Sequence, residues 1–112
     1  MSLTSTVTES AQIVTVDGPR IDAAMAIQFK EEMREQTVDG HSRVILDLSR
    51  VDFIDSSGLG AIVAAMKQLG DHRQLDLAGL TPTVEKVFRL TRMDTIFQLF
   101  PSLDDAISAR AG

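Results

Sequence analysis

The stretch Arg43-Val44-Ile45-Leu46-Asp47-Leu48 constrains the fold more than any other part of the chain. Its apolar residues run almost without interruption and are rich in β-branching, the pattern of a strand covered on both faces. Such a strand belongs at the centre of a sheet, and the segments around it must supply the helices that cover it. Downstream, Leu59, Ile62, Val63, Met66 and Leu69 recur at helical spacing up to Gly70. Upstream, Ala26, Phe29 and Met33 do the same, with Asp22 in the N-cap position and an expected end near Asp39-Gly40.

The remaining elements follow from the same signals. Gln12–Val16 alternates apolar and polar residues before the turn Asp17-Gly18-Pro19, so it reads as a strand, with Leu3–Thr8 placed to pair with it. Gln74–Ala78 reads as another strand, and Thr81-Pro82 opens a helix with Val84, Val87, Phe88 and Thr91 on one face, closing around Leu90–Met93. Ile96 and Phe97 are expected to form a last short strand. Ser102 and Asp105 have capping-box spacing ahead of a terminal helix reaching about Ala109. The alternation of helix and strand predicts an α/β fold: an open mixed sheet of four to five strands, packed by about four helices, with the first strand or two antiparallel. Residues 1–112 form one domain in this reading, without linker or internal repeat.

Composition removes several classes of function. The net charge of −5 and the lack of tryptophan and tyrosine disfavour nucleic acid, whose phosphates call for basic stripes and whose bases call for aromatic platforms. No apolar run approaches the ~20 residues of a membrane span, and MSLTSTVTES lacks the features of a signal peptide. With no cysteine there is neither a disulfide framework nor a thiolate metal site, and the cytoplasm is the expected compartment. His41 and His72 read as solvated residues of polar loops without ligand-like spacing, so no metal site is expected. A Ser56/His41/Asp55 triad can be written on paper, but no GxSxG elbow accompanies it. Gly58-Leu59-Gly60 begins like a dinucleotide fingerprint, yet position 63 is Val and no phosphate-binding loop motif occurs, so no cofactor is expected.

What remains is Asp55-Ser56-Ser57-Gly58 at the start of a helix that follows the central strand, where sites form in open α/β sheets. Two readings stand side by side. In one, the serines cap the helix and the glycines permit close packing against a strand. In the other, the small residues leave Ser56 accessible for modification. A phosphate there would meet free backbone N–H groups and the positive end of the helix dipole, and would add roughly −1.5 to −2 charge beside Asp55. That charge would repel an acidic or apolar partner from this surface without refolding the domain.

Val44–Leu69, VILDLSRVDFIDSSGLGAIVAAMKQL, closely resembles the signature of STAS domains of the bacterial anti-sigma factor antagonist type. DSSGLG is the centre of the match. Gly18 with Arg20–Ala24, Leu77–Phe97 and a terminal helix extend it over nearly the whole chain. The resemblance implies a non-enzymatic binding module whose first serine after the aspartate, here Ser56, is phosphorylated by an anti-sigma factor that is also an ATP-dependent serine/threonine kinase. Unphosphorylated, the module would bind that kinase and free a sigma factor; a PPM-type phosphatase would restore it. Asp22, Asp55, Ser57, Gly58 and Leu59 are the expected partner-binding residues around Ser56. The alternative within the family is a scaffold or accessory domain of a transport, lipid-trafficking or non-sigma signalling complex. Two departures from the family pattern fall on contact surfaces: Gly18-Pro19-Arg20-Ile21, and Arg92-Met93 in place of a small residue followed by glycine.

Overall fold

A computed structural model describes residues 1–109; the last three residues of the expected domain lie outside it. Strands β1 (Ser2–Val7) and β2 (Gln12–Asp17) form an antiparallel hairpin. β2 then pairs in parallel with β4 (Arg43–Asp47), β4 with β6 (Gln74–Ala78), and β6 with β7 (Leu99–Phe100), giving the order β1-β2-β4-β6-β7. Only β1 is antiparallel. β4 is the central strand and every one of its residues is buried, as its continuous apolar run requires.

Alternation along the strands divides the interior in two. Val14, Val16, Val44, Leu46, Leu75 and Leu77 point to the main core, where they meet Phe29 and Met33 of α1 (Ala26–Thr37), Ile62 and Leu69 of α2 (Ser56–Leu69), and Phe88 of α3 (Pro82–Leu90). Ile45 and Ala78 point the other way, into a small cluster closed by Ala106 of α4 (Leu103–Ser108). On that second face Arg43 is buried with Asp76, its Nε donating to Asp76 Oδ2 at 2.9 Å. Arg43 also donates to the Ala109 carbonyl, and its guanidinium lies 5.7 Å from the centre of the Phe100 ring. Ser102 accepts from the Asp105 N–H, the half of the capping box that holds the start of α4.

Three sequence expectations are corrected. Asp22 does not cap α1: the helix begins at Ala26, Met25 occupies the N-cap position, and Asp22 closes a separate turn ahead of it. Ile96 and Phe97 are not a strand. Arg92 adopts a left-handed backbone (φ 64°), a 3-10 turn follows at Met93–Thr95, and Phe97 drops into the core edge-on to Phe88 at 6.1 Å, so the strand starts only at Leu99. His41 is not merely solvated. Its Nδ1 accepts from Arg43 N–H and its Nε2 faces the Glu9 carbonyl, which fixes the proton on Nε2 and ties two loops together.

The fold also contains a two-stranded parallel ribbon of β3 (Arg20–Ile21) and β5 (Phe53–Ile54). It continues beyond the carboxyl ends of β2 and β4 and carries the start of α2. No helix among the described residues is long and apolar enough to cross a membrane.

Candidate functional site: the start of the second helix

Asp55 directly follows β5 and leaves its register with an extended backbone (φ −108°, ψ −174°), the conformation of an N-cap. Its two carboxylate oxygens do different work. Oδ1 accepts from Gly58 N–H at 2.9 Å and satisfies one free donor of the first turn. Oδ2 accepts from Ala23 N–H at 3.1 Å and pins the turn after β3 to the head of α2. The Asp55 carbonyl takes Leu59 N–H, the first intrahelical bond.

Ser56 and Ser57 therefore occupy the first two helical positions rather than the cap. Both are exposed, and neither hydroxyl has a hydrogen-bond partner among the described residues. The reading in which a serine caps the helix is overturned: Asp55 holds that role and leaves the hydroxyls spare. Gly58 is buried because α2 approaches β3 so closely that a β-carbon would stand 1.9 Å from the Ile21 carbonyl oxygen. The close-packing explanation holds for Gly58 and fails for Gly60, where a β-carbon would meet nothing within 4 Å. Leu59 is half-buried and packs against the main core, so only part of its side chain faces solvent.

Asp22 lies beside Asp55, one step beyond the paired Ile21 and Ile54. Arg20 Nε donates to Asp22 Oδ2 at 3.1 Å, and Ala24 N–H donates to Oδ1. The hydrogen bond from the Arg20 guanidinium holds the Asp22 carboxyl below its ordinary range; desolvation opposes it, and the amides of Met25 and Ala24 add to the lowering. Arg20 also stacks on Phe53, its Cζ 4.3 Å from the ring centre, and Phe53 is 38% exposed. Sequence reasoning missed this pair. A ribbon with two residues per strand has no periodicity to detect, and only the pairing of Arg20 with Phe53 brings them together. The paper triad is dispersed: His41 precedes β4, at the opposite end of the sheet from Ser56.

The model of the STAS domain family matches residues 2–106. This chain is a STAS domain. It is 36% identical over 90 residues to BtrV of Bordetella bronchiseptica, whose name assigns it provisionally as an anti-sigma factor antagonist, covering 80% of this chain and 78% of that one. The anti-sigma-F factor antagonist RsfB of Mycobacterium tuberculosis is 27% identical over 112 residues, covering 99% and 92%. The crystal structure of an anti-sigma factor antagonist from Mycobacterium paratuberculosis superposes with a TM-score of 0.87 at 26% identity, covering 99% of this chain and 94% of its own. In this STAS domain the DSSG stretch, the β3 turn and the Arg20–Phe53 stack form one continuous surface at the carboxyl ends of the strands.

Proposed function

We propose that the chain is an anti-sigma factor antagonist whose binding to an anti-sigma factor is gated by phosphorylation of Ser56. In this reading the unphosphorylated domain binds an ATP-dependent anti-sigma serine/threonine kinase and frees its sigma factor, and a PPM-type phosphatase reverses the modification. The names of relatives that match most of the chain support the antagonist role. The observation that carries the switch is the spare Ser56 hydroxyl: exposed, unbonded, and at a helix start already capped by Asp55.

A phosphate on that oxygen costs the helix no cap and meets the positive end of its dipole. Outward, the same phosphate joins Asp55 and Asp22 to make the surface strongly anionic, with Arg20 already engaged by Asp22. The domain keeps its shape while the docking surface changes sign. Asp22, Ser57 and the exposed part of Leu59 surround Ser56 as contacts, while Asp55 and Gly58 hold it in place.

The test uses Ser56→Ala and Ser56→Asp as paired baits in the source organism, with phosphosite mapping of the wild-type chain after incubation with the captured kinase and ATP. An anti-sigma kinase held by the alanine bait, depleted from the aspartate bait, and phosphorylating Ser56 is the expected result. Equal capture by both baits, or modification confined to Ser57, overturns the assignment.

A further inference from the structure

Helices α1 and α2 both start at the Ser56 edge of the sheet and run side by side away from it. Between them lies an open groove of about 320 Å³ with an almost wholly apolar surface, lined by Lys30, Glu31 and Arg34 from α1 and Ala64, Ala65 and Gln68 from α2. At its two ends α1 exposes large apolar side chains, Ile27 (68%) and Val38 (71%). Eleven residues at 100° each bring Val38 back to within about 20° of Ile27, about 16 Å further along the helix. Arg34 falls on the same line. The α2 wall carries Ser57, Gly60, Ala64 and Gln68 at spacings of three and four, so no bulky side chain stands between the switch serines and the groove.

The charges indicate what this trough accepts. Lys30 and Arg34 sit one turn apart, and neither forms an ion pair among the described residues. They outnumber Glu31, so the groove is locally positive in a chain of net charge −5. Small-residue floor, apolar ends and a cationic middle match an amphipathic helix laid lengthwise.

We infer that this groove receives an amphipathic helix of the anti-sigma factor, about three turns long, apolar toward Ile27, Ala64 and Val38, with Asp or Glu opposite Lys30 and Arg34. The inference rests on the antagonist reading and adds the form and charge of the partner segment. It also gives the phosphate a target. Eight residues of helix separate Ser56 from Ala64, about 12 Å. With a screening length of about 8 Å at physiological salt, the phosphate repels the near end of an acidic helix and spares the far end.

The experiment titrates each purified anti-sigma factor of the source organism against the full chain by calorimetry, then repeats the binding one with Gly60→Leu, Arg34→Glu and Ser56→Asp. Gly60→Leu improves helix propensity at an open position, so lost binding reports a blocked groove rather than a damaged fold. Arg34→Glu, on an exposed residue, serves as the independent second variant. The expected result is a loss of at least about tenfold in affinity for each, about 1.4 kcal/mol, with the melting temperature of Gly60→Leu no lower than wild type and that of Arg34→Glu, which opposes the dipole at the end of α1, lower by no more than a few degrees. Reversing the matching acidic residue of the partner restores binding to Arg34→Glu. Unchanged affinity in both, with Ser56→Asp still weakened, overturns the groove and leaves the switch standing. Weakening by both with no effect of Ser56→Asp supports the groove and overturns the switch. If no anti-sigma factor binds, both fall; if the chain self-associates and Gly60→Leu abolishes that, the occupant is a second copy and the inference is wrong.

Discussion

Two glycines in one helical turn have opposite physical meaning. Gly58→Ala drives a β-carbon against the Ile21 carbonyl and separates α2 from β3, so it lowers stability by roughly 1–3 kcal/mol, the usual scale of overpacking. Gly60→Ala removes backbone freedom at an open position and raises stability by about 0.5–1 kcal/mol. Urea unfolding of both variants checks the pair, and equal shifts would refute the close approach. Arg92 offers a similar contrast, since its left-handed backbone (φ 64°) suits glycine. Arg92→Gly is expected to gain about 1 kcal/mol in the same assay. Asp22 adds a pH dependence. Its folded pKa is depressed, so its contribution to stability is present above the unfolded value of about 3.9 and is lost as pH falls through the lower folded value. The stability difference between wild type and Asp22→Asn should therefore shrink steadily in acid unfolding below about pH 4; a constant difference would remove Arg20 as its cause.

At the scale of elements, α4 is a short helix with little apolar surface to hold it, and Ala106 is its one buried residue. Its attachment depends on the sheet face beneath, where Arg43 reaches from Asp76 to the Ala109 carbonyl. Gln74 Nε2 donates to the second Asp76 oxygen, so the carboxylate is fully engaged. Asp76→Ala strands a buried guanidinium and should cost about 3–5 kcal/mol. Replacing Arg43 and Asp76 together by apolar residues of similar volume should cost far less, because the desolvation of both charges is relieved. Chemical denaturation of the single and double variants decides this, and additive losses would refute the pairing. The β3–β5 ribbon is the other element with a local task. It is too short to be stable alone, and it persists because Ile21 and Ile54 are buried in the main core.

At the scale of the molecule, the proposed phosphorylation of Ser56 would change the charge of this surface without rearranging the sheet and helices beneath it. The Ser56 hydroxyl contributes no hydrogen bond to the described fold, and the cap beneath it belongs to Asp55. Ser56→Asp should therefore leave the melting temperature within a few degrees of wild type, and amide shift changes should be confined to the β3 turn and the first two turns of α2. Shift changes spread across β4 and β6 would instead mean that the switch works by refolding.

The sequence by itself determined the order of the main strands and helices, the central strand and the position of the helix that Ser56 opens. These depend on local periodicity: the continuous run of β4, the helical spacing of Leu59–Leu69, and turn residues that punctuate both. The identity of the candidate serine was also legible, through the DSSGLG resemblance. Tertiary structure decided what local pattern does not encode. Asp22 lost its expected cap because Asp55, thirty-three positions away, holds the turn after β3 through the Ala23 amide. Phe97 left its expected strand because the core beside Phe88 offered more burial than a sheet edge. The Arg20–Phe53 stack, the groove between α1 and α2 and the requirement for Gly58 all arise from segments brought together by parallel pairing, and such contacts exist only once the crossovers have closed.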